Sequence, residues 1–156
     1  MRLIKAATEQ SLRSVLEVVN RYAGLISSKS FNQAKKCVYY IIIEENTPVG
    51  VIGYRELNPW CVEQLNTVIL PQYRNKGYGT RASSLLTRGL LKRYGKVFCT
   101  VNTNNDTMIH IKEKQGFSKE GTLVDHFGPG RNVFLFSIRR EQEEETNVQV
   151  PNSSSD

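Results

Sequence analysis

Residues 60 to 101 constrain the fold more tightly than any other stretch, because they read as a strand, a glycine turn, a helix and a second strand in direct succession. Trp60 to Leu70 is a strand that ends in the apolar run Val68-Ile69-Leu70, and Pro71 stops its ladder because it has no N–H to give. Beyond Arg74-Asn75-Lys76-Gly77-Tyr78-Gly79-Thr80, the residues Ala82, Leu85, Leu86 and Leu90 share one face of an amphipathic helix running to about Tyr94, with Gly95 as its stop. Lys96 to Val101 is the following strand. A strand, helix and strand in this order form a right-handed parallel crossover unit.

The glycine turn carries chemistry as well as shape. First-turn amides of a helix lack intrahelical partners and the aligned peptide dipoles leave partial positive charge there, a setting that suits a phosphate. Arg74, Lys76 and Arg81 add formal charge around the same spot, although two glycines one residue apart also make a plain tight turn. Gly77-x-Gly79-x-x-Ala82 fits a dinucleotide fingerprint formally, but that fingerprint needs an acid about 20 residues on, where the chain reads Cys99-Thr100-Val101-Asn102. A nucleoside triphosphate loop is excluded because no Gly-Lys-Ser/Thr follows.

The rest of the chain supplies the partners of this unit. Leu3 to Ala7 is a short strand, and Thr8 caps a helix carrying Leu12, Val15, Leu16 and Val19 on one face up to about Tyr22. Residues 24 to 30 read as a loop and Phe31 to Lys36 as a short helix. Two β-branched and aromatic runs, Val38 to Glu44 and Val49 to Tyr54, flank Glu45-Asn46-Thr47-Pro48 and so form an antiparallel hairpin. Asn102 to Asp106 caps a last helix over Thr107 to Gln115, ended by Gly116, and two closing strands, Phe117 to Val124 and Asn132 to Ile138, flank a Gly-Pro-Gly loop.

Residues 1 to 140 are expected to make one domain and residues 141 to 156 an acidic, polar, disordered tail. The 21 basic residues all precede residue 141, and five of the 15 acids follow it, so the domain carries +11 and the whole chain +6. Such a surface favours an anionic ligand: a phosphorylated cofactor, an acidic substrate or nucleic acid. The longest apolar run is too short to span a bilayer and the N-terminus lacks a secretion signal, which makes a cytoplasmic protein the expectation. Cys37, Cys61 and Cys99 are too widely spaced for a zinc site and too few for a disulfide framework, so each is expected to be a buried or half-buried apolar residue, and no metal is expected.

Taken in order, the elements and three motifs resemble the GNAT superfamily of acyl-CoA-dependent N-acetyltransferases over roughly residues 2 to 139. The family's glycine-turn pattern, Gln/Arg-x-x-Gly-x-Gly/Ala, appears as Arg74-Asn75-Lys76-Gly77-Tyr78-Gly79; Val68 to Arg74 is similar to its preceding strand end; Asn105 with Glu113-Lys114-Gln115-Gly116-Phe117 is similar to its Asn…Glu-Lys-x-Gly-Phe segment. The resemblance implies an α/β (α+β) fold with a mixed, centrally splayed sheet flanked by helices. It also implies acetyl-CoA as acyl donor. Arg74, Asn75, Lys76, Gly77, Tyr78, Gly79 and Thr80 would hold its pyrophosphate, Val68, Ile69 and Leu70 its pantetheine, and Asn105 would join them. A backbone amide near Ile69 would polarise the thioester.

The amine acceptor is protonated at neutral pH, so a base is useful. Glu63, eleven residues before Arg74, stands where several family members place theirs, and simple alternation puts Glu63, Leu65 and Thr67 on one face and Gln64, Asn66 and Val68 on the other. Many members carry a tyrosine as general acid where this chain has Lys112, which is either a proton donor or a charge partner. His126, with Asp125 and Arg131, either contacts the acceptor or belongs to a polar loop; His110 is a surface or packing residue, and Trp60 either packs at the strand start, the default, or lines the acceptor pocket. A non-catalytic CoA-binding or nucleic-acid-binding module on the same fold is the alternative function. The identity of the amine and the oligomeric state, monomer or homodimer, have no signal in the sequence.

Overall fold

The computed structural model describes residues 1–23 and 28–141. Part of the expected loop over 24–30, and the tail beyond residue 141, therefore lie outside the described residues. Among the described residues seven strands form one sheet: β1 (Arg2–Lys5), β2 (Val38–Glu44), β3 (Thr47–Glu56), β4 (Cys61–Ile69), β5 (Lys96–Asn102), β6 (Ser118–Leu123) and β7 (Val133–Arg139). Their order is β1-β2-β3-β4-β5-β7-β6, and every neighbouring pair is antiparallel except β4 with β5. The crossover between that parallel pair is α3 (Tyr78–Leu91), as the strand-helix-strand pattern predicts.

Two helices cover each face. On one, α1 (Glu9–Tyr22) and α2 (Phe31–Ala34) cover a core of Val15, Leu16, Val19, Tyr39, Val51 and Val68. On the other, α3 and α4 (Asp106–Lys114) cover a larger core with Ile52, Val62, Leu86, Leu90, Val97 and Phe136. Local chemistry accounts for the helix starts. Thr8 accepts the Ser11 N–H and Ser11 returns a bond to the Thr8 N–H, a closed capping box that satisfies two otherwise orphan donors. Asn105 caps α4 by accepting the Met108 N–H at 3.1 Å.

The β2–β3 hairpin differs from its expected turn. Glu45 and Asn46 take positive φ (46° and 63°), so the turn is two residues long, and Pro48 sits inside β3 opposite Ile43. A proline fits there because the pairing with β4 begins only at Val49, whose carbonyl accepts the Leu70 N–H. All three cysteines are free, with Cys61 and Cys99 buried and Cys37 half-buried, as expected for small apolar residues.

Candidate active site

The sheet splits in its middle. β4 and β5 pair only at Cys61 with Lys96, Val62 with Val97 and Glu63 with Phe98, after which each strand follows its outer neighbour, β4 along β3 and β5 along β7. Gln64–Ile69 and Cys99–Asn102 thus border a gap. Chain direction places the N-terminus of α3 after β4 and that of α4 after β5, so both helices open towards the same end of it. A splayed sheet with helix amides at its mouth is built to take an extended, anionic ligand.

The glycine turn fits that description. Gly77 is the N-cap of α3 at φ 76°; among the described residues no side chain caps the helix, and a Cβ at Gly77 would meet nothing within 4 Å. Asn75 also takes a left-handed conformation (φ 62°), which asparagine tolerates. Arg74, Asn75, Lys76 and Gly77 are exposed, whereas Tyr78, Gly79 and Thr80 are partly covered. Arg74 donates through Nε to the Ile69 carbonyl at 2.9 Å and so ties the turn to β4. Arg81 is engaged elsewhere, 3.4 Å from Glu44. Asn105 spends its Oδ1 on the α4 cap.

Strand β4 does not keep simple alternation. Val51 pairs with Val68 and Gly53 with Leu65, so Asn66 and Thr67 together oppose Ile52 in a β-bulge, with Asn66 at φ 50°. The extra residue moves Val68 into the same core as Leu65, on the α1 face, while Thr67 turns towards Gly79 at the start of α3. The grouping of Glu63, Leu65 and Thr67 against Gln64, Asn66 and Val68 is therefore corrected from the bulge onward.

The bulge also reverses which backbone groups face the gap. Before it, the Cys61 carbonyl accepts from Leu57, so odd-numbered residues bond to β3; after it, the Leu70 N–H goes to Val49, so even-numbered ones do. Ile69, between Val68 and Leu70, consequently turns its N–H away from β3. Leu70 is fully used, since its carbonyl accepts the Tyr73 N–H.

Glu63 and Lys112 flank the point of splitting from opposite faces. Glu63 lies on the α1 side, 17% exposed, with Oε2 2.5 Å from Nη2 of Arg55. Lys112 is buried beneath α3, donating to Ser83 Oγ at 2.9 Å and Gln64 Oε1 at 3.2 Å, with its Nζ 4.8 Å from the centre of the Phe117 ring. Gln64 completes the network by donating to the Ser83 carbonyl and Thr87 Oγ1, while Ser83 Oγ donates to Gln64 Oε1 at 2.7 Å. Burial pulls the Lys112 ammonium below its usual range, partly offset by Cys99, whose own thiol burial pushes up. Sequence reading names Lys112 but misses Gln64, Ser83 and Thr87, which are joined to it only across distant parts of the chain.

The remaining candidates lie apart. His110 is exposed on α4. His126 stacks edge-on against Phe127 at 4.7 Å, in a loop that Asp125 closes by accepting the Gly130 N–H at 2.7 Å. Trp60 is 59% exposed and lies over Gly95 at the end of β4 remote from the gap. Among the described residues there is no cluster of three or more metal-ligating side chains and no helix long and apolar enough to cross a membrane.

The split sheet and the basic glycine turn define a class of fold whose open end suits an extended, anionic ligand, and comparison with known proteins makes the class specific. A model of the acetyltransferase (GNAT) family matches residues 4–117, and the chain belongs to that family. Spermidine N(1)-acetyltransferase from Escherichia coli K12 is 36% identical over 85 residues, covering 51% of this chain and 45% of that protein; the protein from strain O157:H7 gives the same figures. The match thus spans about half the length of these curated relatives. Among solved structures, a Vibrio cholerae spermidine N-acetyltransferase in complex with CoA and spermine superposes with a TM-score of 0.72 at 19% identity, covering 88% of this chain and 95% of that one. A second, in complex with manganese ions, gives 0.66 at 20%, covering 89% and 91%. At these identities the two structures establish the fold.

Proposed function

We propose that this chain transfers an acetyl group from acetyl-CoA to a primary amine. The observation that carries the reading is the gap between β4 and β5, with an uncapped, basic helix N-terminus at its mouth and the Ile69 N–H turned into it. First-turn amides of α3 with Lys76 and Arg74 suit the pyrophosphate, and β4 from the bulge to Ile69 suits the pantetheine as an added half-strand. Acetyl-CoA supplies the activated thioester; the chain supplies binding, orientation and proton removal.

Strand geometry divides the labour along β4. Ile69 stands six residues from Glu63, about 20 Å along an extended strand, too far for both to serve one reacting carbon. The bulge at Asn66 and Thr67 is about 10–13 Å from Glu63, a span that a glutamate side chain and one water bridge. The thioester carbonyl is therefore assigned to the bulge, where the ladder is broken and an amide is available to charge developing on oxygen, and Ile69 to the pantetheine arm. Glu63, held by Arg55, takes the first ammonium proton through water; the amine nitrogen bonds to the carbonyl carbon, the C–S bond breaks, and the departing CoA thiolate takes up the second nitrogen proton through water and leaves as the thiol. Lys112, hydrogen-bonded to Gln64 and Ser83 on the far side, is assigned to holding the split rather than to protonating the thiolate.

Spermidine and spermine are the first acceptors to test, given the relatives' names. Thiol release from acetyl-CoA is expected with at least one amine of a panel, alongside a thermal shift with CoA alone. No shift with CoA contradicts the reading; a shift without turnover on any amine points instead to a CoA-binding module.

A further inference from the structure

The bulge in β4 has a support that lies outside the gap. Tyr39 is on β2, with β3 between it and β4, yet its hydroxyl donates to Asn66 Oδ1 at 2.8 Å. It is 1% exposed. The ring passes over Gly53, the residue opposite it on β3: a Cβ at Gly53 would lie 2.6 Å from ring carbons Cδ1 and Cε1 of Tyr39. Glycine at that position leaves the path by which a side chain of β2 reaches across to β4. Asn66 is the residue at φ 50°, so the bond fixes the bulge at its left-handed turn. The neutral form of Tyr39, the form able to donate, is favoured by burial, which pushes the phenol well above its usual range.

Without the extra residue, the odd-numbered residues of β4 would continue to bond to β3 and Ile69 would turn its N–H inward, away from the gap. The bulge therefore sets the direction of every backbone group that β4 offers between Asn66 and Ile69, and one buried hydroxyl sets the bulge.

We infer that Tyr39 is a positioning residue for acetyl transfer: through Asn66, and by way of the opening at Gly53, it holds the β4 bulge and thereby aims the backbone amides of β4 at the acyl-pantetheine arm. This rests on the gap being the acetyl-CoA site, and the test separates the two claims. Tyr39→Phe removes one oxygen and keeps the ring; Asn66→Gly removes the bond but accepts the positive φ, so it serves if the first variant folds poorly. Each is compared with wild type for kcat, for KM towards acetyl-CoA, and for affinity towards CoA and towards its S-acetonyl thioether, which adds a carbonyl.

Both variants are expected to lose about tenfold in kcat, with KM for acetyl-CoA changed by less than about twofold, because misaimed donors weaken the reacting geometry more than the binding of the cofactor's phosphates. The preference of wild type for the acetonyl compound over CoA is expected to fall about fivefold, the size of one net hydrogen bond. Variants with a lowered melting temperature but wild-type kcat and undiminished preference overturn the inference and leave Tyr39 a packing residue. Wild type that does not bind CoA overturns the underlying reading instead.

Discussion

Glu63 and Gln64 are neighbours on β4, and they face into opposite kinds of surroundings at the point where the sheet divides. On the α1 side Glu63 is partly open to solvent and paired with an exposed Arg55. On the α3 side Gln64 is closed into a buried polar network with Ser83, Thr87 and Lys112. The contrast teaches that the split has a face open to solvent and a dry face whose polar groups satisfy one another; the proposed reading brings the amine to the first. A base must be reached by substrate. On the proposed reading Lys112, hydrogen-bonded to Ser83 and Gln64, holds the split.

The largest test of this contrast is Glu63→Gln, which is expected to lower kcat/KM at neutral pH by about a hundredfold or more, with CoA affinity unchanged by titration calorimetry. Lys112→Met is the opposing test, expected to leave kcat within about threefold in the thiol-release assay. Its partners are not orphaned, since Ser83 still donates to Gln64. A collapse of kcat in Lys112→Met, with a wild-type rate in Glu63→Gln, would invert the comparison.

A subtler effect of Lys112 is on stability. Burial depresses its pKa, so between the folded value and the unfolded value near 10.4 the folded chain binds fewer protons than the unfolded one. Stability must then rise with pH across that window, and the wild type is expected to gain on Lys112→Met as pH approaches 10 in urea denaturation. A constant difference between the two would show that Lys112 is not desolvated. The smallest effect concerns Arg55→Ala, which removes an ion pair whose cation is about half exposed; a loss of no more than about 1 kcal/mol is expected in the same denaturation experiment.

Element order was legible in the sequence because each element rests on a local signal: period in α1 and α3, β-branched runs in β2 and β3, glycine and asparagine at the ends. The geometry of the candidate site was legible where it too is local, as in the turn from Arg74 to Thr80, which holds Gly77 as the N-cap of α3. The bulge was not, because alternation assumes one residue opposite one. Asn66 inside an otherwise ordinary strand was its only sign, as asparagine is among the few residues that tolerate a positive φ. The dry network escaped for a different reason. Ser83 and Thr87 are buried on α3 while Leu85 is 36% exposed, so the apolar face read from leucines alone is rotated from the one the sheet covers. Lys112, 48 residues from Gln64 and 29 from Ser83, explains why those polar positions turn inward.

The central claim is that the glycine turn and the gap together form the CoA site, and calorimetric titration of CoA into the wild type and into Lys76→Ala tests it most directly. The account predicts one CoA per chain, an affinity that falls as salt rises, and a further loss of about tenfold in the variant, as expected for removing a charge-assisted phosphate contact. Absence of binding to the wild type, or binding indifferent to both salt and Lys76, would contradict it.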